Sequence, residues 1–282
     1  MYIVEDGSFE SWPVSVLRGS ANRSAVEGER QAPALSIRCQ YVWVDLVLMD
    51  LDGTLLDHDG AEHDAITAWI RTAGFPPDVE GIPTERVWHD LAEQAFTDYR
   101  VGRLTFAGQR RQRVSRFLTA VGQDSTGMGD ADLDLQFGEY LHRYESAWRA
   151  FPDARDALQS LARQARVAVL SNGDHDQQVD KVARTGLSDL VEAVITSSDL
   201  GVAKPDTEAF IKATSVLGVS RSRTLYCGDR LEVDAQAAAA AGLVGVWLNR
   251  HGRAPKSVGV QVISALSELP ALAATVPCAW RR

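Results

Sequence analysis

The hydrophobic pattern changes character twice along the chain. Residues 1–41 show no sustained period, because Gly7, Pro13, Gly19, Gly28 and Pro33 interrupt any helical or strand repeat. The run Val42–Asp50, VWVDLVLMD, is almost continuously apolar and β-branched, as a strand buried on both faces requires. A turn over Asp57–Gly60 follows, and then apolar residues recur at helical spacing. That spacing predicts helices near 62–73, 84–101, 106–120 and 132–149, separated by loops carrying Pro76-Pro77, Pro83 and Gly127–Gly129. Trp69, Trp88, Phe117, Phe137, Tyr144 and Trp148 supply their apolar faces, and core packing accounts for most of them.

Beyond Phe151-Pro152 short apolar runs alternate with amphipathic ones. VAVL, VEAVIT, RTLYCGD, LVGVWL and a weaker run at Val260–Ile263 read as strands. DARDALQSLARQ, HDQQVDKVART, DTEAFIKATSVL, VDAQAAAAAG and Leu266–Ala274 read as helices. This alternation predicts an α/β fold, a Rossmann-like parallel sheet with helices on both faces, and the first strand joins that sheet across an inserted helical bundle. The expected organisation is an irregular N-terminal extension over 1–41, a core from 42–60 and 149–282, and a helical cap over 61–148. The extension is expected to precede the true translation start, since the first convincing core element begins near Val42.

Composition narrows the class. Of 282 residues, 45% are hydrophobic and 24% charged, which suits a globular chain with a sizeable core. The net charge of −9 argues against nucleic acid, whose phosphates need clustered Lys and Arg. The longest apolar-or-Gly run, Ala237–Leu248, is short of the roughly 20 residues of a membrane span, and the acidic MYIVEDGSFE start is not a secretory signal. Cys39, Cys227 and Cys278 have no metal-ligand spacing and fit a reducing compartment, so a cytoplasmic protein is expected; Cys227 reads as a small core residue.

Ligands of an open parallel sheet bind beyond the carboxyl ends of its strands. Just after the predicted strands come Asp50-Leu51-Asp52-Gly53-Thr54-Leu55, then Ser171-Asn172-Gly173-Asp174, then Ala203-Lys204-Pro205, and finally Gly228-Asp229 with Asp234 five residues on. Carboxylates, hydroxyls and one lysine thus converge on one sheet edge. Each also has a structural reading taken singly: Asp52 and Thr54 as turn formers, Ser171 and Asp234 as helix caps. Together those readings leave the apposed aspartates and Lys204 unexplained.

In their order, DLDGTL, SNG, KP and GDRLEVD, these segments resemble the four signature motifs of the haloacid dehalogenase superfamily, in the subfamily with a helical cap inserted after the first strand. The resemblance spans about residues 42–275. It implies a Mg²⁺-dependent phosphatase that hydrolyses a small phosphomonoester through an aspartyl-phosphate. By that resemblance Asp50 is the nucleophile and Asp52 the general acid/base. The Asp50 and Asp229 side chains and the Asp52 backbone carbonyl are the metal ligands, and Asp234 is an outer-shell carboxylate orienting waters or Asp229. Ser171, Asn172 and Lys204 bind the phosphoryl group, with Lys204 also screening Asp50 from Asp229, and Thr54 is a secondary candidate. Pro205 is expected in the first turn of the next helix. The segment GLVGVWLNR resembles capped members acting on nucleoside monophosphates, flavin mononucleotide or sugar phosphates.

Three other readings stay open: a phosphomutase sharing the core chemistry, a 2-haloacid dehalogenase, and a non-enzymatic phospho-ligand binding protein. The dehalogenases lack a carboxylate at the position of Asp52, because a departing halide needs no proton. Among remaining signals, Arg110, Arg111, Arg113 and Arg116 read first as a solvated helix face and second as an anion-attracting patch. His58 and His63 read as surface residues, and His175 as a residue closer to the chemistry.

Overall fold

A computed structural model describes residues 44–252 and 258–275. The expectations for 1–41, and for Cys39 and Cys278, lie outside the described residues.

Six parallel strands form the central sheet: β1 (Leu46–Met49), β4 (Arg166–Ser171), β5 (Val194–Thr196), β6 (Thr224–Gly228), β7 (Val244–Leu248) and β8 (Gln261–Ile263). Their spatial order is β5-β4-β1-β6-β7-β8, so the first strand in the chain is central. The register pairs Met49 with Val169 on one side and with Cys227 on the other, which brings the carboxyl ends of β1, β4 and β6 level.

The reason for the unbroken apolar run is visible in β1. All four of its residues are buried, and their side chains alternate between two cores. Val47 and Met49 join the cluster beneath α5 (Ala154–Leu161), α6 (His175–Arg184) and α10 (Leu269–Ala274). Leu46 and Leu48 join the opposite cluster with α8 (Thr207–Val216) and α9 (Ala237–Ala240). Helices therefore cover both sheet faces, as the alternation predicted.

Between β1 and α5 lies a separate helical unit: α1 (His58–Ala73), a two-stranded ribbon of β2 (Asp78–Val79) and β3 (Ile82–Pro83), α2 (Thr84–Arg100), α3 (Phe106–Ala120) and α4 (Asp130–Ser146). It has its own core, built on aromatic rings. Trp69, Trp88 and Phe117 meet at centroid distances of 5.0–5.4 Å, and Tyr140 sits 4.5 Å from Trp88. Such offset and edge-on contacts add to the free energy of burying the rings.

The unit joins the sheet through two adjacent segments. Leu56 pairs with Ala150, Phe151 N–H donates to Leu55 O at 2.9 Å, and Asp57 N–H donates to Arg149 O at 3.0 Å. Arg149 clasps the junction by pairing with Asp57 (2.7 Å) and Asp64 (2.6 Å).

Several local features differ from expectation. Helix α1 begins four residues early, because the Asp57 side chain caps it by accepting from Gly60 N–H. The ribbon β2–β3 was not predicted, its strands being too short for a period. A four-residue helix, α7 (Ser197–Leu200), occupies what read as loop, started by a capping box between Thr196 and Asp199. The helix read over VDAQAAAAAG opens as a π-helical stretch, Leu231–Gln236, before α9. Pro205 is not in the first turn of α8: Asp206 is the N-cap, accepting from Glu208 N–H, and Pro205 precedes it. No helix among the described residues is long and apolar enough to cross a membrane.

Candidate active site

The chain turns sharply after β1. The N–H groups of Leu55 and Leu56 both donate to Leu51 O, and Gly53 N–H donates to Leu56 O, so the loop folds back over the end of the strand. Gly53 has φ +85°, and a Cβ there would lie 2.6 Å from Asp229 Oδ2. Only glycine permits both that conformation and that approach. The loop from β1 and the residue after β6 are thereby pressed together, with Asp50 and Asp229 on either side of Thr54. The buried Thr54 hydroxyl reaches Asp50 Oδ2 at 3.3 Å and Asp229 Oδ1 at 3.4 Å.

Lys204 is the centre of charge. Its ammonium, 3% exposed, donates to Asp50 Oδ1 (2.6 Å), Asp234 Oδ1 (2.7 Å) and the Tyr226 hydroxyl oxygen (2.6 Å). It therefore bridges Asp50 and Asp234, a pairing the sequence did not suggest, while its charge also acts on Asp229. Asp234 is buried; besides Lys204 it accepts from Tyr226 Oη (3.2 Å) and Arg230 N–H (3.0 Å). The Asn172 carboxamide does not point its polar atoms at a free space. It donates to Lys204 O (2.8 Å) and accepts from Lys204 N–H (2.9 Å), fixing the lysine's backbone from two sides.

The carboxylates occupy contrasting environments. Burial pushes the Asp50 carboxyl up to about 8; Lys204 opposes this, while Asp234 and Asp229 add to it by repulsion. Asp229 is likewise pushed up to about 6, first by burial and then by Asp234. Asp52 goes the other way. Burial would raise it, but the Lys181 ammonium at 2.6 and 2.8 Å, with His58 and a Gln178 hydrogen bond, holds it at about 2. Two carboxyls two residues apart are thus driven in opposite directions, the pattern that separates roles in acid–base sites.

Lys181 and Gln178 were missed by the sequence reading. Both are on α6, three residues apart and therefore on one face, and both are buried. Gln178 Nε2 also donates to Ser171 Oγ at 2.8 Å and to Asn172 O at 3.1 Å, tying the end of β4 to Asp52. The available signal was a glutamine and a lysine on the same helical face as Val182, directly after SNG. His58 also departs from its surface reading: it lines the cleft, accepts or donates at 2.7 Å with Tyr144 Oη, and approaches Asp52 to 3.8 Å. His63 is exposed beside Glu85 at 3.7 Å, and His175 is held by Asp199 at 2.9 Å, away from the cleft lining.

Asp50, Asp52, Ser171, Lys181, Lys204 and Asp229 open into one cleft of about 360 Å³ between the sheet edge and the helical unit. Of the arginines of α3, Arg116 is exposed, as the solvated-face reading expected, but the other three are engaged or turned toward the cleft. Arg111 pairs with Asp130 and, at 2.5 Å, with Asp134. Arg113 is buried against Glu62 at 2.5 Å with its guanidinium 3.8 Å over Trp88, and Arg110 lines the cleft. Glu62 is held below the usual carboxylate range because Arg113 outweighs the cost of burial.

Comparison with known proteins gives a consistent result. The family model described as a haloacid dehalogenase-like hydrolase matches residues 44–242. The human N-acylneuraminate-9-phosphatase is 27% identical over 245 residues, covering 83% of this chain and 96% of that one. The Escherichia coli (strain K12) pyrimidine 5'-nucleotidase YjjG is 35% identical over 180 residues, covering 63% and 76%. Among solved structures, a 2-haloacid dehalogenase from Pseudomonas syringae pv. Tomato DC3000 is 28% identical with a TM-score of 0.61, covering 82% of this chain and 98% of that one.

Proposed function

The chain belongs to the haloacid dehalogenase-like hydrolases, and from that membership and the cleft's chemistry we propose that it is a Mg²⁺-dependent phosphatase acting on a small phosphomonoester. The observation that carries this reading is the opposed pair of carboxyls: Asp50 bound to Lys204 at the cleft floor, and Asp52 two residues on, poised beside a separate lysine. The relatives named as phosphatase and nucleotidase support it.

The donor set fits a hard divalent cation. Asp50, Asp229 and Asp234 bring carboxylate oxygens within 4.8 Å of one another, and oxygen-only donors suit Mg²⁺. Burial and mutual repulsion oppose their joint ionisation, and Lys204 balances only part of that charge. Because both oxygens of Asp234 are engaged by Lys204, Tyr226 and Arg230, the side chains of Asp50 and Asp229 and the Asp52 carbonyl would hold the ion. When bound, it supplies charge neutralisation between an anionic nucleophile and an anionic phosphate.

Asp50 attacks phosphorus through a carboxylate oxygen; the P–O ester bond breaks and the phosphoryl group passes to Asp50 as an aspartyl-phosphate. Lys204 and the Ser171 hydroxyl receive the phosphoryl oxygens, and Asn172 and Gln178 keep those two groups in place. Asp52 protonates the departing alkoxide and then takes a proton from the water that releases phosphate and regenerates Asp50. The acid role requires the Lys181–Asp52 pair to part. Once the ammonium withdraws and an anionic phosphoryl group arrives, burial and repulsion both raise the Asp52 pKa. Helices α1–α4, read as a cap over the cleft, provide the surface that excludes bulk water during this exchange.

Asp52 also distinguishes this reading from dehalogenation, since a halide leaves without a proton. In single-turnover measurements of aspartyl-phosphate formation, the step before Asp52 acts as base, Asp52→Asn is expected to slow an alkyl phosphate by about 10²–10⁴-fold, and an aryl phosphate, whose leaving group needs little protonation, far less. Equal losses on both esters would rule out proton donation by Asp52. The phosphatase reading itself is tested by hydrolysis of a generic aryl phosphate with Mg²⁺ and with a chelator. Turnover is expected only with the metal, and undiminished turnover in chelator would overturn the metal dependence. We place the protein in the cytoplasm on its sparse, unspaced cysteines.

A further inference from the structure

Arg110 is set apart from the neighbouring arginines of α3. Arg111 and Arg113 each hold a carboxylate of the helical unit. Arg110 makes no ion pair with any carboxylate among the described residues, although Asp174, Glu145 and Asp134 are close enough to be felt. Its guanidinium lies 4.3 Å over the Phe106 ring and 5.3 Å from the Phe137 ring, and it lines the cleft on the side of the helical unit. Burial against these rings strips water from a charge whose neighbouring carboxylates, Asp174 first and Glu145 next, act on it without closing an ion pair. A half-buried guanidinium that lines a cleft and whose fork of donors is engaged by no protein acceptor among the described residues is a receptor for a planar anion.

The position of this group defines what it meets. The phosphoryl end of a substrate is fixed at the sheet edge by Asp50, Lys204 and Ser171, so the alcohol portion must extend toward the helical wall. At about 360 Å³ the cleft lies in the roughly 300–1,000 Å³ range of small-molecule sites, with room for more than a phosphate. That wall offers rings for an apolar or sugar-like body and one unpaired positive charge. Glu62, although on the same wall, is already neutralised by Arg113.

We infer that Arg110 is a specificity-determining residue whose guanidinium binds a carboxylate on the alcohol portion of the substrate, so that the substrate class is a phosphorylated hydroxycarboxylic acid. The inference rests on the phosphatase reading. A single carboxylate matches the single guanidinium; a second phosphate would bring further negative charge to a wall that also presents Glu93 and Asp59.

The test is a series of phosphorylated hydroxy acids of graded chain length, each paired with its carboxamide, with an aryl phosphate as the common reference. At the matching length the protein is expected to favour the carboxylate over the carboxamide by about 10- to 100-fold in kcat/KM, carried mainly by KM, as a charge-assisted bidentate contact provides. Arg110→Gln is expected to erase that ratio, Arg110→Lys to restore part of it, and Arg110→Glu to invert it. Aryl phosphate turnover by the parent protein with no carboxylate preference at any length would overturn the inference alone. So would a preference that survives in Arg110→Gln. A preference for a second phosphate in place of the carboxylate would likewise overturn it. Absence of turnover on every ester, the aryl phosphate included, would overturn the phosphatase reading and this inference with it.

Discussion

Asp50→Asn is expected to reduce phosphatase turnover by at least about 10⁴-fold while leaving the protein folded. The amide matches the carboxylate in shape; its oxygen can still accept from Lys204, and its NH2 can donate to the Thr54 hydroxyl oxygen where the carboxylate accepted from it, so packing at the end of β1 is preserved. What it lacks is the nucleophilic oxygen, and without that no aspartyl-phosphate forms. The loss should reside in kcat. Rapid quench with a ³²P-labelled ester should capture a labelled protein from the parent and none from the variant. A thermal melt guards against misfolding, and the variant should melt no lower than the parent, because it removes a carboxyl that burial already disfavours. Retention of even a few per cent of the parent rate, free of deamidation back to aspartate, would exclude Asp50 as the nucleophile.

The second large effect belongs to Lys204→Met. Here stability and activity should fall together. The substitution fills the volume but leaves Asp50, Asp234 and the Tyr226 hydroxyl without their shared donor, and breaking a buried pair from one side costs about 3–5 kcal/mol. Lys204 has its pKa raised in the folded protein, where Asp234 and Asp50 outweigh burial. Its contribution is therefore fully present below the ordinary lysine pKa and is lost only as pH rises beyond it. The carboxyls respond at lower pH. Asp50 and Asp229 have folded pKa values above that of an ordinary aspartate, so each disfavours folding increasingly as pH rises toward about 8 and about 6. In the metal-free variant the unpaired Asp50 can take up a proton at pH 5 and less readily at pH 8. Urea titrations of metal-free parent and variant should consequently show a larger gap at pH 8 than at pH 5. An equal gap at both would mean that the lysine's packing, not its charge, is what the fold requires.

The parts of this site that were legible in the sequence are those fixed by strand ends. Asp50 and Asp229 follow β1 and β6, Ser171 ends β4, and parallel strands in register must bring such residues to one edge. Lys204 lies in a loop at that edge, and its presence was expected although its partner was not. The choice between Asp229 and Asp234 depends on the π-helical stretch after β6, which swings Asp234 back so that its carboxylate lies against Gly228. A run of alanines and acids gives no warning of that extra backbone residue per turn.

The helical unit was harder to read for a different reason. Charge density along α3 suggested solvent, yet Arg110, Arg113, Val114 and Phe117 share the i, i+3, i+4, i+7 stripe that faces inward. Charged residues on an apolar stripe indicate buried partners, and here the partner, Glu62, lies 51 residues earlier on another helix. The same holds for Lys181, whose partner Asp52 is 129 residues away. Hydrophobic periodicity places a side chain on a face; it does not say which distant element meets that face.

The paired segments at Leu56 and Ala150 carry a consequence for how such proteins diversify. They bring the two ends of the helical unit side by side, so the unit hangs from the sheet as a closed loop with its own aromatic core. Closing a long loop costs little more than closing a short one, since the entropy grows only with the logarithm of length. Replacing everything between the two segments therefore makes small demands on the sheet or its carboxylates. The hydrolytic apparatus and the surface that selects substrates are separable modules, and an exchange grafted at this junction would carry Arg110, and the preference it sets, onto another sheet of the same design.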